Sequence, residues 1–491
     1  MTLRDVRRML AWSVPVTTQS LPAPTALRSP LASSSAVQLT WTGAGPFVVE
    51  RRADAKTFAT IGRTSDAAYT DAAIDPFATY VYRIRTARGA DGGPGGEQLS
   101  PPSNEITVGP PPAGFSTVVK AAKGKEGDFA SHIAVALDGN GDPAIAYMVL
   151  RADDTKAHLH FVAWNRATYQ WRPPVRVAVA GSIDAHLDDL GVSLARDAST
   201  GTLLIAYQTG DGDGRGVSLA ASIDAGSSWK TETIRRPDDS EQRSGAPTVV
   251  AADGVTHLAY LDGSTGVRYG SRRGSAGAFA SAMAPIPDGY ESSRANAGLV
   301  LDGNLQPALF YWYNAKDGPR SVVGFWRPGQ AQPVPAVVSD TGSDDGFASL
   351  AFAGTAPRLL VSARRDDDFE DHLWFTSSTD GKAWPAPIKM PKDDQDFWSL
   401  PLSLAMDSKG RAAATITITT GRGASLGRPK MLRSNDLRAW CVWSPDTARV
   451  LMGVSTVGHV IFAANDKQYV VFTNDDPGRK LPAGIALWRE P

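Results

Sequence analysis

The 491-residue sequence has little of several features that would point to one class of protein. Cys441 is the single cysteine, so no disulfide forms within the chain and cysteine usage indicates no redox compartment. No apolar run approaches the roughly 18 residues that span a bilayer, so we expect no transmembrane helix and no membrane insertion. A formal net charge of −1 gives no case for nucleic acid as a partner.

Motifs for metal, phosphate or nucleophilic chemistry are also missing. The seven histidines show no metal-ligand spacing, and the sequence contains no phosphate-binding glycine loop, nucleophile elbow or Cys/His zinc pattern. Asp138, Asn140 and Asp142 resemble the start of a calcium loop, but Pro143 and Val149 stand where such a loop needs Gly and Glu. We predict a hairpin turn here, with no metal and no cofactor, and keep a calcium ion as the alternative.

Residues 1–20 carry Arg4, Arg7 and Arg8 ahead of a short apolar stretch. A secretory signal peptide needs a longer apolar segment followed by a small-residue cleavage site, and neither is clear here. We therefore predict an N-terminal arm.

Residues 21–109 show short alternating strands separated by turn clusters, the pattern of a small antiparallel sandwich. Trp41 ends the strand VQLTW, and Ile74, Pro76 and Tyr80 form a hydrophobic–Pro–Tyr signature. With SNEITV from Ser103, these residues resemble a fibronectin type III domain, including its tyrosine corner. Tyr82-Arg83-Ile84-Arg85 resembles the arginine motif of sialidases, but it lacks the proline and falls where type III domains commonly read YRI.

From Ser131 onward one phrase recurs seven times: an apolar strand, an Asp/Gly/Asn turn and a second strand ending in a small or aromatic pair. The spacing of 51 to 60 residues is typical of radial β-repeats. The second strands end at Tyr147, Tyr207, Tyr260, Tyr311, Ser362, Ile416 and Phe472. We predict an all-β chain, with a type III sandwich followed by a seven-bladed β-propeller of four-stranded blades at 113–491.

The last repeat is too short to supply its own outer strand. The segment FSTVVKA, residues 115–121, precedes the first repeat and has no other assigned partner. Pairing it with the C-terminal strand would close the ring and remove two exposed strand edges. We predict that the N- and C-terminal strands of the propeller pair in this way.

Three turns resemble the Asp-box of BNR or sialidase-like propellers, S-x-D-x-G-x-[TS]-W. Residues 222–229 fit it without a gap, residues 377–384 fit it with Thr379 at the Asp position, and residues 434–440 are one residue short. In that family the box is a structural turn, with its carboxylate bonded to backbone N–H groups and its Trp packed between blades. The resemblance gives a structural role to Ser222, Asp224, Gly226, Trp229, Asp380, Trp384, Asp436 and Trp440.

Acidic residues recur in the loops before the first strands, while basic residues recur in the loops between second and third strands. Both sets of loops are expected on one face, around the central channel, where exposed aromatics accompany them. Aromatic faces stack on sugar C–H groups while charged groups bind hydroxyls. The candidate ligand-binding residues are Asp128, Asp189, Arg243, Glu291, Arg294, Trp312, Asp345, Arg365, Asp396 and Trp398. The alternative is that the acidic residues are only soluble turn formers.

The main hypothesis is a non-catalytic recognition or adhesion protein, extracellular or attached to a cell surface or particle, that binds a glycan or a protein surface. No catalytic residue is assigned. The first alternative is a sialidase-like glycoside hydrolase, with Arg243, Arg294 and Arg365 as an arginine triad. Tyr290 and Glu291 would then be the nucleophile pair, although adjacent strand residues point to opposite faces. The second alternative is a structural appendage or tail-fibre component, and the oligomeric state is left open.

Overall fold

In the computed structural model the described residues form strands and no helix. They are 20–53, 56–89, 96–120, 129–151, 154–181, 191–211, 214–235, 244–262, 266–275, 277–293, 297–339, 347–364, 371–390, 396–420, 426–443, 452–453, 458–474 and 484–491. The described chain divides into two compact units between Pro110 and Pro111, and the short segment Arg166–Tyr169 groups with the first.

The first unit contains two sheets. Three strands pair in the order β1-β2-β5, and the others in the order β4-β3-β6 with β7 and β8 both on the far side of β6. The inward-facing residues Leu39, Trp41, Val49, Tyr82 and Ile84 are buried together, because alternate residues of each strand point to the same side. The strands are β1 (Thr25–Ala32), β2 (Val37–Thr42), β3 (Phe47–Ala53), β4 (Ala59–Thr64), β5 (Ala68–Asp71), β6 (Tyr80–Arg88), β7 (Gln98–Leu99) and β8 (Ile106–Val108).

The first sheets of the second unit follow the chain in order. The first contains β10 (Phe129–Leu137), β11 (Pro143–Arg151), β12 (Asp154–Asn165), β13 (Gln170–Trp171) and β14 (Val175–Gly181). The second contains β15 (Val192–Arg196), β16 (Leu203–Asp211), β17 (Gly214–Ser222) and β18 (Lys230–Arg235). The third contains β19 (Ser244–Ala252), β20 (Val255–Asp262), β21 (Val267–Arg273) and β22 (Ala280–Met283).

Four further sheets complete the described part of this unit. The fourth contains β23 (Tyr290–Ser292), β24 (Gly298–Leu301), β25 (Pro307–Ala315), β26 (Ser321–Trp326) and β27 (Val334–Ser339), and the fifth β28 (Phe347–Ala353), β29 (Ala356–Arg364), β30 (Asp371–Ser377) and β31 (Ile388–Lys389). The sixth contains β32 (Asp396–Met406), β33 (Ala412–Thr420), β34 (Leu426–Ser434), β35 (Cys441–Trp443) and β36 (Met452–Gly453). The seventh contains β37 (His459–Phe462), β38 (Gln468–Asn474), β39 (Gly484–Arg489) and β9 (Gly114–Lys120).

Each sheet is an antiparallel meander with four strand positions, one of which is split in two in the first, fourth and sixth sheets. The first strand of each sheet contacts the first strand of the next, and β37 contacts β10, so the sheets close into a ring. The second unit is therefore a β-propeller, as the sequence predicted. The described residues contribute seven sheets to it, while the blade count and the type III assignment of the first unit stay predictions.

The ring closes through the two ends of the unit. Strand β9 pairs antiparallel with β39, with Phe115 opposite Trp488 and Lys120 opposite Gly484. Phe115 also lies edge-on to Phe472 of β38, with ring centroids 5.9 Å apart. The predicted pairing of the N- and C-terminal strands is confirmed. It leaves β39 with a hydrogen-bonded neighbour on both sides.

Apolar layers between neighbouring sheets hold the propeller together. Residues on both faces of the middle strands are buried, as in β25, where Ala308 to Tyr313 are all buried. Such strands read as continuous apolar runs because each sheet has a neighbour on either side.

The predicted calcium-like segment forms a hairpin turn between β10 and β11. Asp138 Oδ1 accepts the backbone N–H groups of Asn140 (2.7 Å) and Asp142 (2.9 Å). Asp302 and Asp407 make the same kind of bonds in their own turns. The carboxylate thus satisfies turn amides, and among the residues that the structure describes no group of three or more His, Cys, Asp or Glu side chains is arranged to hold a metal ion.

Candidate functional site

The turn between β17 and β18 is organised around Asp224. Ser222 Oγ donates to Asp224 Oδ1 (2.7 Å) and accepts the Gly226 N–H (2.9 Å). Asp224 also accepts the backbone N–H of Ser228 (2.9 Å) and its hydroxyl (2.6 Å). These bonds to the anion, above all that from the Ser228 hydroxyl, lower the pKa of Asp224 to about 2. Trp229 Nε1 donates to Gly226 O (3.1 Å), so the turn orients the indole.

The two other turns share one register, which differs from the predicted alignment of residues 377–384. Ser378 Oγ, not Ser377 Oγ, accepts the Gly381 N–H (2.9 Å), and Asp380 accepts the Lys382 N–H (2.8 Å). Ser434 Oγ likewise accepts the Leu437 N–H (2.8 Å), and Asp436 accepts the next two amides. The predicted alignment of Thr379 with Asp224 is therefore wrong: Asp380 accepts the turn N–H group as Asp224 does, in a loop one residue shorter.

Most of the candidate ligand-binding residues lie outside the part of the chain that the structure describes. Asp128, Asp189, Arg243, Arg294, Asp345 and Arg365 lie outside the described residues, and for Asp396 and Trp398 only the backbone of β32 is described. Glu291 and Trp312 are described in full, and both belong to the fourth sheet.

Trp312 is a core residue. It is 2% exposed and packs with Phe310 and Phe325 in the apolar layer that reaches the fifth sheet. Its neighbour Tyr313 is equally buried, on the side of the strand that faces the third sheet. The expectation that Trp312 is exposed for sugar stacking is wrong, because β25 is covered on both faces.

Charged groups of both signs meet at one end of the fourth sheet. Strand β23 pairs with the end of β25, placing Glu291 opposite Asn314, and Lys316 N–H donates to Gly289 O (3.0 Å) across the same edge. Glu291, Lys316 and the neighbouring Asp288 and Arg320 are exposed. Asp288 precedes β23 and Glu291 lies within it, whereas Lys316 and Arg320 lie between β25 and β26. We call these four residues the sheet-four charge cluster.

Tyr290 supplies an aromatic ring beside this cluster. Its ring is half-buried and lies edge-on to Tyr313, with centroids 5.1 Å apart. Burial raises the pKa of the Tyr313 phenol, so this partner stays neutral. Along β23 Tyr290 packs inward while Glu291 is exposed, which is the alternation expected of a strand. The two side chains therefore do not form a tyrosine–carboxylate nucleophile pair.

Arg83, the arginine of the sialidase-like tetrapeptide, is held within the first unit. Its Nε donates to Glu50 Oε2 (2.5 Å), which also accepts from Arg85 (3.0 Å), and its guanidinium lies 3.8 Å from the Phe58 ring centroid. The bonds to Glu50 join β3 to β6, and they occupy the Arg83 guanidinium that a carboxylate ligand would need.

The first strands of the propeller line a central cavity of about 190 Å³. Three serines in it bond to the next sheet: Ser193 Oγ accepts from Val249 N (3.1 Å), Ser349 Oγ from Leu404 N (3.0 Å) and Ser403 Oγ from Val460 N (3.2 Å). These serines were not predicted as a set, although the tripeptide Ser-Leu-Ala recurs at all three positions.

His459 lines the same cavity. Burial disfavours the imidazolium and lowers the pKa of His459 to about 4, against the opposing effect of a hydrogen bond to the Ile133 backbone. The ring is therefore neutral at pH 7.

In the described parts of the chain, no helix has the length and hydropathy of a membrane span.

No protein-family model matches the sequence, and no curated protein is significantly similar to it. Several solved structures are similar to this chain at low sequence identity. An α-L-arabinanase of Penicillium chrysogenum, complexed with arabinobiose, is 12% identical with a TM-score of 0.44, covering 77% of this chain and 99% of its own. The Aleuria aurantia lectin with α-methyl-L-fucoside is 13% identical with a TM-score of 0.39, covering 70% and 99%. A Dyadobacter fermentans protein of unknown function is 13% identical with a TM-score of 0.41, covering 76% and 98%.

Proposed function

We propose that the protein is a recognition or adhesion protein that binds a glycan or a protein surface through the loop face of its propeller. The sheet-four charge cluster carries the proposal. The ring of Tyr290 is half-buried at this end of the sheet, and exposed carboxylates and cations lie at the same end. Aromatic surface with charged hydrogen-bonding groups of both signs is the combination that binds sugar rings and their hydroxyls.

The finer assignments of fold belong to the same proposal. We take the seven sheets as seven blades, the turns at Asp224, Asp380 and Asp436 as Asp-boxes, and the first unit as a fibronectin type III domain. The hydrogen bonds of those turns and the pairing of β9 with β39 support the first two. The bond from the Asp75 N–H to the Tyr80 hydroxyl (2.7 Å) supports the third, since it has the form of a tyrosine corner.

A glycoside hydrolase of the sialidase type is the less favoured function. It needs a tyrosine activated by a carboxylate, whereas Tyr290 packs against Tyr313 and Glu291 faces away from it. A role as a structural appendage or tail-fibre component is the third assignment.

A glycan array probed with the fluorescently labelled full chain tests the proposal. The strongest ligand is then titrated against the wild type, Glu291→Gln and Lys316→Gln. Each substitution removes a charge-assisted hydrogen bond, so affinity should fall about 10-fold. Lys382→Gln is the matched control, because Lys382 is an exposed cation in the turn between third and fourth strands, at the opposite end of a sheet.

Binding to one glycan class that weakens in the first two variants and not in the control supports the proposal. Release of free sugar from the bound glycan would replace it with the hydrolase. Equal binding by all variants would show that the loop face is not the binding site. Binding to no glycan and to no cell-surface protein would contradict the proposed function.

A further inference from the structure

A cleft of about 370 Å³ lies between the second and third sheets of the propeller, away from the loop face. Strand β18 forms one side, and β21, β22 and the loop joining them form the other. Its volume falls in the range of small-molecule sites. The lining includes Glu232, Thr233, Ile234, Arg272, Phe279 and Ser281.

A pair of opposite charges bridges the two sheets in this cleft. Arg272 donates to both carboxylate oxygens of Glu232, through Nη1 to Oε2 (2.9 Å) and through Nη2 to Oε1. Nη1 also donates to Gly277 O (3.1 Å), and the guanidinium lies 4.4 Å from the Phe279 ring centroid. The Arg272 side chain is 7% exposed and that of Glu232 39% exposed, so the carboxylate lies at the open side.

One donor in this arrangement is unused. Arg272 Nε is buried and has no hydrogen-bond partner among the described residues. A buried guanidinium N–H without an acceptor costs free energy unless a ligand or water supplies one. The lining of the cleft thus includes a guanidinium with an unsatisfied N–H group and a partly exposed carboxylate.

One wall of the cleft is apolar. Ile234 and Phe279 pack against the buried layer that contains Leu258 and Tyr260. A Cβ atom on Gly270 would lie 3.2 Å from the Cβ atoms of both Phe279 and Ser281, so glycine lets the segment with Phe279 and Ser281 pack closely on β21. One wall therefore suits C–H groups, and the Arg272–Glu232 pair suits hydroxyl groups.

We propose that this cleft binds one neutral sugar unit, with two adjacent hydroxyls on Arg272 and Glu232 and a C–H face on Ile234 and Phe279. A hydroxyl both accepts from a guanidinium and donates to a carboxylate, so a vicinal pair can use both groups without separating them. The Glu232 carboxylate would repel an anionic ligand, and a purely apolar ligand would leave the Arg272 Nε–H group without an acceptor. The site shares its ligand class with the proposed function but contains none of the loop-face residues.

Saturation-transfer NMR with the full chain tests this, using free D-glucose, D-galactose and D-mannose as probes and D-glucuronate as the charged comparison. Titration calorimetry then gives the affinity of the best probe. Glu232→Gln removes the acceptor charge at constant size. Ala278→Trp blocks the cleft from its exposed rim and leaves the charge pair intact, while Ser275→Trp places the same bulk in the same loop, outside the lining.

We expect a neutral monosaccharide to bind, Glu232→Gln to weaken it about 10-fold and Ala278→Trp to abolish it, with Ser275→Trp unchanged. Glu291→Gln and Lys316→Gln should leave this binding intact, which separates it from the loop-face proposal. Three results would each overturn the proposal. They are no saturation transfer from any neutral probe at about 20 mM, where a Kd of about 1 mM would give near-saturation, equal binding by Ala278→Trp, or a preference for glucuronate. Thermal denaturation confirms that each variant is folded.

Discussion

Trp229 of the second sheet lies edge-on to Phe161 of the first, with ring centroids 5.0 Å apart and an interplanar angle of 62°. The relationship repeats: Trp384 of the fifth sheet lies 5.5 Å from Phe325 of the fourth, and Trp440 of the sixth lies 4.9 Å from Phe375 of the fifth. Each indole follows a serine–aspartate turn, and each phenylalanine lies on the third strand of the preceding sheet. The tryptophans that follow these turns therefore pack each of these sheets against the preceding one.

Truncation of either ring in the first pair should destabilise the propeller. We expect Trp229→Ala and Phe161→Ala each to lower the free energy of unfolding by about 3 kcal/mol, because a large aromatic leaves a cavity. The double variant should lose less than the sum, with a coupling of about 0.5 to 1.5 kcal/mol. Urea denaturation measures all four proteins. Ile223→Ala, at an 88% exposed position of the same turn, should be neutral; full additivity would mean that the rings do not interact.

Gly226 is required in the first of these turns for two separate reasons. Its φ of +86° is unfavourable for other residues, and a Cβ atom there would lie 2.1 Å from Phe161 Cε1. Gly226→Ala should cost about 2 to 4 kcal/mol from the backbone and the overlap together. Gly410→Ala is the matched control, since its φ is +78° but a Cβ atom there would have no neighbour within 4 Å. It should cost only about 1 kcal/mol, and equal losses would show that the overlap relaxes freely.

The strand pattern and the repeat period predicted the all-β propeller and the strand that closes it. Both could be predicted because a repeat, and a strand that belongs to no repeat, can be recognised in the amino-acid sequence itself. The register of the second turn was not predictable in this way. Ser377 and Ser378 are adjacent, and only the hydrogen bond from the Gly381 N–H shows which one caps the turn.

The candidate site was predicted less well, for a physical reason. Trp312 was expected in the loop after a second strand, but it lies within β25. Strands between two sheets are buried on both faces, so the alternation of apolar and polar residues does not show which side chains are exposed. The Arg272–Glu232 pair joins residues 40 apart on different sheets. Only the packing of one sheet on the next brings them together.

His459 should make stability depend on pH. Its pKa is about 4 in the folded protein and about 6.5 when unfolded, so between these values the unfolded chain binds the extra proton. Stability therefore falls as the pH drops from 6.5 towards 4, by up to about 1.4 kcal/mol per unit. His459→Gln removes this dependence. Denaturation midpoints of both proteins at pH 4.5 to 7 should converge on acidification, and parallel curves would contradict the assignment.

The Tyr80 hydroxyl should stabilise the first unit. It accepts the Asp75 N–H at 2.7 Å, and the side chain is otherwise buried. Tyr80→Phe leaves that N–H without its acceptor and should cost about 1 to 2 kcal/mol. Tyr69→Phe is the comparison, since its hydroxyl donates to Ile61 O from a half-exposed position that water can reach. A smaller loss at Tyr69 in thermal denaturation is expected, and the reverse order would remove the special role of Tyr80.

Strand β9 should be essential for a soluble propeller. A chain of residues 111–491 keeps the six backbone pairings of β9 with β39 and the bond from Arg489 Nη1 to Pro111 O (2.6 Å). A chain of residues 122–491 lacks them and exposes the edge of β39, which promotes association between molecules. We expect the longer chain to elute as one species and the shorter one to aggregate or melt at lower temperature. A synthetic peptide of residues 111–121 should restore the shorter chain by strand addition. Equal stability of the two chains, with no effect of the peptide, would show that closure does not depend on β9.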